Sequence, residues 1–566
     1  MKIPSDPVKR QEFYDELVQQ CLASRPERFE FYKTLRNYYL FGSADEAGAA
    51  YNKIGSTVDT LASFIYAPDS VRFSINLGVS ADDLDIHKAR PLAREISEQW
   101  RLSKTHLRFG LAAKWSLVFG TMIMKVQWSR GIARSYLVEP HQFGVLREDM
   151  TELEDQEAFV LCYTTTKTQL ASDLEGNPRK ASIMARVGRG GGASSNAGFA
   201  DGLNRLLLSS PVGGVSGSVS PNYGTGGGTV AGGMGGPAGG GTAYSYAPRV
   251  EAELVDMCDL YVWDDDTEDY QLVTMAAPNV IVFDRPQRFT GIASVPHFAL
   301  VRAESNLYDY FWGDSFAARL TWLQEWRTED VSNIRLLQAK QADPPTSATG
   351  AGGIQEEKLL ALRRAGGQFS TSNPQMKIET HAPKMPENIF GSLSEIDKMF
   401  DDTAGIGHIL QGKGESGVRS KGQADLMARL GSSRPKQRAT VVEESAEDVA
   451  TLMLRTIQEH SDQRFIAKIP KDGKEETLPF IAQLFTKDYE VKVDAHSSSP
   501  IFVEDRKHDA ELLLEAKAID RETFLEMYDP PNVQDLIVKL KVIEAKEQKA
   551  AQAQAQMEQA KHAPKG

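Results

Sequence analysis

The feature that most constrains this sequence is a helix that stops at closely spaced glycines and gives way to a charged, glycine-rich segment. The stretch from Ile389 to Arg438 opens with apolar residues at helical spacing, which predicts one buried stripe. These residues are Ile389, Leu393, Ile396 and Phe400. We expect the helix to stop at Gly405 and Gly407, and residues 412–417 to form a charged loop. The pattern predicts a long helix whose C-terminal end positions a mobile loop.

The composition argues against a protein that grips nucleic acid over a broad basic face. The 566 residues are 41% hydrophobic, enough for several structural units, and their formal net charge is -13. Tight non-specific DNA binding is driven by counterion release at Lys and Arg. An acidic chain with a few positioned cations is better suited to brief contact with DNA, as in a channel through which DNA slides, than to tight binding of DNA.

The sequence predicts no membrane segment and no export. It has no run of about 18 to 20 apolar residues, and its N-terminus lacks the apolar core of a signal peptide. The three cysteines are isolated from one another along the chain, so we expect buried, reduced thiols rather than a disulfide framework or a cysteine metal site.

Helices and short strands alternate along the chain, which predicts an α+β fold. Helical patterns cover residues 7–40, 51–65 and 89–118, and strand patterns begin at Thr121. Residues 187–247 are dominated by Gly, Ser, Ala and Asn. Such a segment buries too little apolar surface to offset the conformational entropy that it would lose on becoming ordered. We interpret this tract as a flexible insertion between two strands of one sheet.

Two long helices are predicted to bracket a small module. The first runs from Asp314, as its N-cap, to Gln341, and the second over residues 388–411. Residues 343–387 between them are bounded by prolines and combine one short helix with two strand patterns. The two helices are expected to form an antiparallel stalk with the module at its tip. A further amphipathic helix is predicted from Ala439 to His460.

No motif supports catalysis, a metal or a cofactor. GHILQGKG, from Gly407 to Gly414, satisfies G-x-x-x-x-G-K, but Gly414 stands where a phosphate loop needs Ser or Thr. It also follows an amphipathic helix, whereas a phosphate loop follows a buried strand. The Lys and Arg residues between positions 413 and 438 form one basic cluster that could act at phosphates. The cluster could also be a solvated face with local salt bridges to Glu415 and Asp425. Both interpretations stay open.

The order of these elements resembles the portal proteins of tailed bacteriophages, the head-tail connectors, particularly those of short-tailed phages. The segments that carry the resemblance are FWGDSFAARLTWLQEW, GIGHILQGKGESG and LLLEAKAIDRETFLEMYDPP. The resemblance implies a mixed α/β wing, a two-helix stem, a small α/β clip and a helical crown. The implied boundaries are 1–305 wing, 306–342 first stem helix, 343–387 clip, 388–411 second stem helix, 412–434 tunnel loop, 435–504 wing return, and 505–566 crown and C-terminal tail.

The resemblance also implies partners. Portal proteins form rings, usually dodecamers, at one capsid vertex of the virion after assembly in the host cytoplasm. Their channel passes double-stranded DNA during packaging and ejection. They bind terminase, tail or adaptor proteins, and the major capsid and scaffolding proteins.

The resemblance assigns roles to particular side chains. The residues expected to face DNA are Lys413, Arg419, Lys421, Arg434, Lys436 and Arg438. The residues expected to pack the stem, with the tryptophans lying between subunits, are Trp312, Trp322, Trp326, Leu393, Ile396 and Phe400. Two other functions remain: a nucleotide-dependent DNA-packaging enzyme, for which GHILQGKG is the one indication, and a capsid-interior scaffold or adaptor that binds proteins only.

Overall fold

The structure is a computed structural model of the chain. It describes residues 1–45, 51–68, 71–76, 83–129, 131–187, 254–276, 280–287, 297–304, 310–342, 344, 346–349, 377–381, 383–384, 386, 388–405, 433–460, 465–471, 474–480, 490–493, 503–528, 536, 539–540 and 543. Most of the predicted insertion, the predicted helix and one strand of the 343–387 module, GHILQGKG and residues 544–566 lie outside the described residues.

The described residues form helices and strands in alternation. The α-helices are α1 (Pro7–Cys21), α2 (Arg25–Phe41), α3 (Lys53–Ile65), α4 (Asp83–Leu102), α5 (Thr105–Phe119), α6 (Lys167–Asp173), α7 (Lys180–Arg186), α8 (Thr321–Ala342), α9 (Ile389–Ala404), α10 (Ser433–His460), α11 (Val503–Glu515) and α12 (Arg521–Tyr528).

The strands are short and pair antiparallel. They are β1 (Phe73–Asn76), β2 (Thr121–Ser129), β3 (Ile132–Val138), β4 (Phe143–Val145), β5 (Ala158–Thr166), β6 (Leu254–Asp264), β7 (Asp269–Ala276), β8 (Val280–Gln287), β9 (Phe298–Arg302), β10 (Thr346–Thr349), β11 (Lys377–Thr380), β12 (Phe465–Lys471), β13 (Lys474–Phe480) and β14 (Glu490–Val493). The chain is therefore mixed α and β, which confirms the predicted class.

The chain divides into two compact units, and the first is built on a five-stranded sheet of order β4-β5-β6-β7-β8. Successive residues of a strand point to opposite faces, and β6 uses both faces. Cys258 and Leu260 pack in one core cluster with α1, whereas Val255 and Met257 pack in another with α6 and α7. The sheet is thus covered by helices on both sides.

The second unit contains a three-stranded sheet of order β3-β2-β9 and most of the long helices. Helix α10 lies against β9 and β2, and α5 lies against β2. The four apolar residues predicted to form one face of α3 are all fully buried. They are Ile54, Val58, Leu61 and Ile65. Among the described residues, no helix is long and apolar enough to cross a membrane.

Several boundaries differ from prediction because local backbone geometry interrupts an otherwise continuous helical pattern. The predicted helix 7–40 is two helices, α1 and α2. The predicted helix 89–118 is also two, since the chain turns at Lys104, which adopts a left-handed φ of 59°. Helices α6 and α7 were not predicted from the sequence.

The start of the first long helix was also predicted wrongly. The predicted N-cap, Asp314, instead accepts a hydrogen bond from Arg319 at 3.3 Å. The hydroxyl of Ser315 accepts from the Ala318 amide at 3.0 Å and donates to the Val118 carbonyl at 2.5 Å. These bonds hold a short 3₁₀ turn, Ala318–Leu320, ahead of α8, which begins at Thr321.

Candidate functional site

Helices α8 and α9 form an antiparallel pair, called here the helix pair. Arg327 Nε donates to Asp397 Oδ1 at 3.0 Å, and Ser392 Oγ donates to Asp330 Oδ2 at 2.6 Å. Further along, Gln341 Nε2 donates to the carbonyl of Pro383 at 3.0 Å. As residue numbers rise on one helix they fall on the other, so the predicted antiparallel arrangement is found. The α8 helix has 22 residues and spans about 33 Å at 1.5 Å per residue.

The chain closes on itself where the helix pair ends. Strands β10 and β11 pair directly, with Thr346 opposite Thr380 and Thr349 opposite Lys377. The chain that leaves α8 and the chain that returns to α9 are therefore side by side before residues 350–376 begin. Of the two strand patterns predicted for this module, the one near residues 376–380 corresponds to β11.

A partly buried ion pair fixes α9 to α3 within the second unit. Lys53 Nζ lies 3.3 Å from Asp397 Oδ1 and 3.4 Å from Asp401 Oδ1, and it donates to the Asp397 carbonyl at 2.8 Å. Burial alone would raise the pKa of Asp397, but the hydrogen bond from Arg327 and the charge of Lys53 outweigh it, so this pKa is lowered. The charged Asp397 of α9 thus binds one cation from α3 and one from α8.

Large apolar side chains lie exposed on one face of α8, while Leu323 and Ile334 of the same helix are buried. Trp322 is 54% exposed and Trp326 is 42% exposed, and their rings stack at 6.3 Å between centroids with an angle of 26°. Leu336 is 53% exposed. At 3.6 residues per turn these three side chains fall within an arc of about 80°. We call this exposed set the outer stripe.

The other residues expected to pack the stem lie inside the chain. Trp312 is only 2% exposed, and its ring N–H donates to Glu148 Oε1 at 2.9 Å. Its predicted position between subunits is therefore wrong, because its own chain already covers it. Ile396 and Phe400 are fully buried on α9, and Leu393 is half-buried.

The expected DNA-facing residues separate into two groups. Lys413, Arg419 and Lys421 lie outside the described residues. Arg434, Lys436 and Arg438 are near the start of α10, which begins at Ser433, so the last two residues of the predicted 412–434 loop are helical. Arg434 is exposed and Lys436 is half-buried.

Arg438 does not face DNA, which corrects its predicted role. It is 7% exposed, and its Nε donates to Glu304 Oε1 at 2.5 Å. Its Nη1 donates to the Ala404 carbonyl at 2.9 Å, and its guanidinium lies 4.8 Å from the centroid of the Phe316 ring. The cation is held inside the second unit by a carboxylate, a carbonyl and an aromatic face, and its role there is structural.

Two arginines together cap the C-terminus of α9. Gly405 ends this helix with a left-handed φ of 70°, as predicted from the glycine stop. Arg434 Nη1 donates to the Asp402 carbonyl at 2.8 Å, and Arg438 Nη1 donates to the Ala404 carbonyl. A Cβ at Gly405 would lie 2.8 Å from Arg434 Cδ, so only glycine fits under this side chain. Cations at a helix C-terminus also complement its dipole.

An open cleft of about 440 Å³ lies beside these caps. Its lining includes Arg319, Arg434, Arg438, Glu304 and Gln437. Arg319 lies 3.9 Å from Glu304 and 3.3 Å from Asp314, so its charge is already partly compensated. The cleft can accept a polar or anionic group, mainly at the exposed Arg434. Sequence reasoning missed Glu304 and Arg319, whose only signal is their charge.

The described residues contain no candidate metal site. No group of three or more His, Cys, Asp or Glu side chains there could hold a metal ion. In comparisons with known proteins, no family model matches the chain and no curated protein matches it.

Proposed function

We propose that this chain is the subunit of a portal-type ring, a dodecamer at one vertex of a phage capsid, whose channel passes double-stranded DNA. The main support is the helix pair with its outer stripe. A helix pair joined by ion pairs, closed by a two-stranded ladder and apolar on its outside matches a stem that packs against neighbouring copies.

The charge distribution is compatible with a DNA channel. The chain is acidic overall, at -13, while the exposed Arg434 and the half-buried Lys436 follow directly after the glycine-rich stretch of residues 406–432. Ring symmetry would multiply each such cation into a circle around the passing phosphates, and the acidic remainder would prevent tight binding. In this proposal residues 343–387 dock terminase and later a tail adaptor, and the ring acts without catalysis.

Assembly tests the proposal directly. Native mass spectrometry of the wild-type chain at micromolar concentration should show a closed ring, and a stable monomer would contradict it. The double variant Trp322→Glu, Trp326→Glu should shift the population to monomer by at least tenfold, because charge replaces the outer stripe. Leu107→Glu is the matched control, since Leu107 is 55% exposed on α5 of the same unit.

DNA contact separates the ring from a protein-binding scaffold. Crosslinking of packaged DNA should label residues 412–438, whereas a scaffold or adaptor would show no labelling there. Neutralising Arg419 and Lys421 together should leave ring assembly intact and alter DNA packaging or retention. Loss of assembly in that variant would mean that the two residues are structural instead.

A further inference from the structure

Three free thiols lie together in the core of the first unit. Cys162 on β5 and Cys258 on β6 are fully buried, and Cys21 at the end of α1 is 1% exposed. All three belong to the same cluster of buried apolar residues. The sequence separates them widely, and the pairing of β5 with β6 and the packing of α1 on the sheet bring them together.

The strand register places two of these thiols directly opposite each other. Cys162 pairs with Cys258 in the antiparallel ladder of β5 and β6, which runs without a bulge from Ala158 to Thr166. In such a ladder, directly opposed pairs alternate between hydrogen-bonded and non-hydrogen-bonded positions. The side chains approach more closely at the non-hydrogen-bonded positions.

The position of Cys162 in this alternation can be counted from the end of the ladder. The Trp263 amide donates to the Glu157 carbonyl at 2.8 Å, so Glu157 and Trp263 are a hydrogen-bonded pair. Cys162 lies an odd number of residues from Glu157 and is therefore at a non-hydrogen-bonded position. Opposed Cα atoms there lie about 4.5 Å apart. A disulfide accepts Cα separations of about 4.4 to 6.8 Å.

The two thiols also interact with each other. A hydrogen bond from Cys258 lowers the pKa of Cys162, with burial opposing it and the charge of Arg25 assisting it. Burial and the same contact raise the pKa of Cys258. Cys162 is therefore the sulfur that ionises first. The Cys21 thiol instead points to the Ala158 carbonyl, 3.8 Å from its Sγ.

We propose that Cys162 and Cys258 are a latent disulfide pair that closes on exposure to a peroxide. The Cys162 thiolate attacks one peroxide oxygen and the O–O bond breaks. A sulfenic acid forms, and the departing hydroxide takes up the proton that Cys162 released and leaves as water. The Cys258 sulfur then attacks the Cys162 sulfur, the S–O bond breaks, and a second water leaves. Two thiols lose two electrons, and hydrogen peroxide is reduced to two molecules of water.

The bond would tie together the two strands that flank the long glycine-rich tract. Residues 163–257 lie between the two cysteines, and they include the whole of 188–253. Oxidation would join β5 and β6, the strands on either side of this tract, by a covalent bond without changing the strand register. The disulfide does not depend on ring assembly, so either proposal can fail alone.

The test uses the full-length chain treated with hydrogen peroxide under native conditions. Free thiols, counted after denaturation, should fall from three to one per chain. Peptide mapping without reduction should find the Cys162–Cys258 crosslink, and reduction should restore three thiols. Retention of all three thiols, or a crosslink that involves Cys21, would overturn the proposal. The wild-type map needs no variant, so a folding defect cannot obscure it.

Two variants sharpen the assignment. Cys21→Ala should lose both remaining thiols to the same crosslink. Cys258→Ala should form no intramolecular disulfide, because Cys162 then has no opposed sulfur. A Cys21–Cys162 disulfide could instead form in Cys258→Ala at the rate of the wild-type disulfide. This result would show that proximity in the core, rather than the strand register, selects the pair, and it would refute the proposal.

Discussion

The five-stranded sheet of the first unit and the helix pair of the second differ in how completely they cover their large aromatic side chains. In the sheet, Phe159 stacks on Tyr261 at 4.7 Å and on Phe143 at 5.5 Å, and all three are buried. In the helix pair, polar contacts join the two helices at several points, and Trp322 and Trp326 lie exposed.

The difference shows which region completes its core within one chain. The sheet has helices on both faces and buries its large side chains by itself. The helix pair is held in register by directional polar contacts, which fix geometry but contribute little net stability at exposed positions. Its outer stripe is exposed, and a neighbouring copy in the proposed ring would cover it.

The largest expected effect is in the sheet. Phe159→Ala removes the centre of an aromatic cluster and leaves a cavity, so we expect a loss of about 4 kcal/mol in the stability of the first unit. Hydrogen exchange of the β5, β6 and β7 amides measures it. Phe31→Ala, on a side chain 51% exposed, is the control and should cost less than about 0.5 kcal/mol. Equal effects would mean that the sheet core is loosely packed.

The second prediction compares two arginines of α10 that cap the same helix. Arg438→Ala should cost about 3 kcal/mol, because it removes the nearer of the two cations beside the Glu304 carboxylate, whose side chain is 14% exposed, and leaves only Arg319 at 3.9 Å. Arg434→Ala should cost about 0.5 kcal/mol, since its side chain is exposed. Denaturant unfolding of both variants checks this order. If Arg434→Ala were the more damaging, Arg438 could not be the structural member of the two.

The third prediction concerns the charge that joins the helix pair. Asp397→Asn should weaken the pair by about 1 kcal/mol at neutral pH, measured by hydrogen exchange of the α9 amides. The folded pKa of Asp397 is lowered, so its contribution is present above the ordinary aspartate pKa of about 3.9 and is lost as pH falls through the folded pKa. Wild type and variant should converge in strong acid. A difference that persisted there would point to packing rather than charge.

The smallest effect is expected at Asp448 on α10. Although Asp448 is an exposed residue, desolvation by the surrounding protein and then the carboxylates of Glu152 and Glu447 raise its pKa to about 6. A raised carboxyl pKa means that the folded state holds the proton more tightly, so stability falls as pH rises from about 4 to about 6. Asp448→Asn should remove this decline, which thermal unfolding across that range would reveal. Asp155→Asn serves as the control, because Asp155 is an exposed aspartate of the same unit.

Sequence patterns predicted the elements best where one periodicity ran unbroken. The stripe of α3 and the glycine stop at Gly405 are correct because apolar spacing and a left-handed φ are properties of a few neighbouring residues. The break at Lys104 was missed because a lysine at positive φ leaves no mark in a helical pattern.

The site was harder to predict because pairing across the chain decides it. Arg438 looks like any basic residue in the sequence, and only the approach of Glu304 and Ala404 makes it structural. Trp312 and Trp322 are equally apolar, yet one finds a buried acceptor in Glu148 and the other remains exposed. Residue type predicted the elements, and long-range contacts assigned the roles.

The ladder of β10 and β11 bears on how this protein can change over evolution. Thr349 and Lys377 are opposed, so their Cα atoms lie about 5 Å apart, a gap that a two-residue hairpin turn can bridge. Whatever the chain builds between them, the helix pair meets the same two anchor points. The intervening residues can therefore be lengthened, shortened or exchanged without moving either helix, so this part of the chain can change its length and sequence independently of the scaffold.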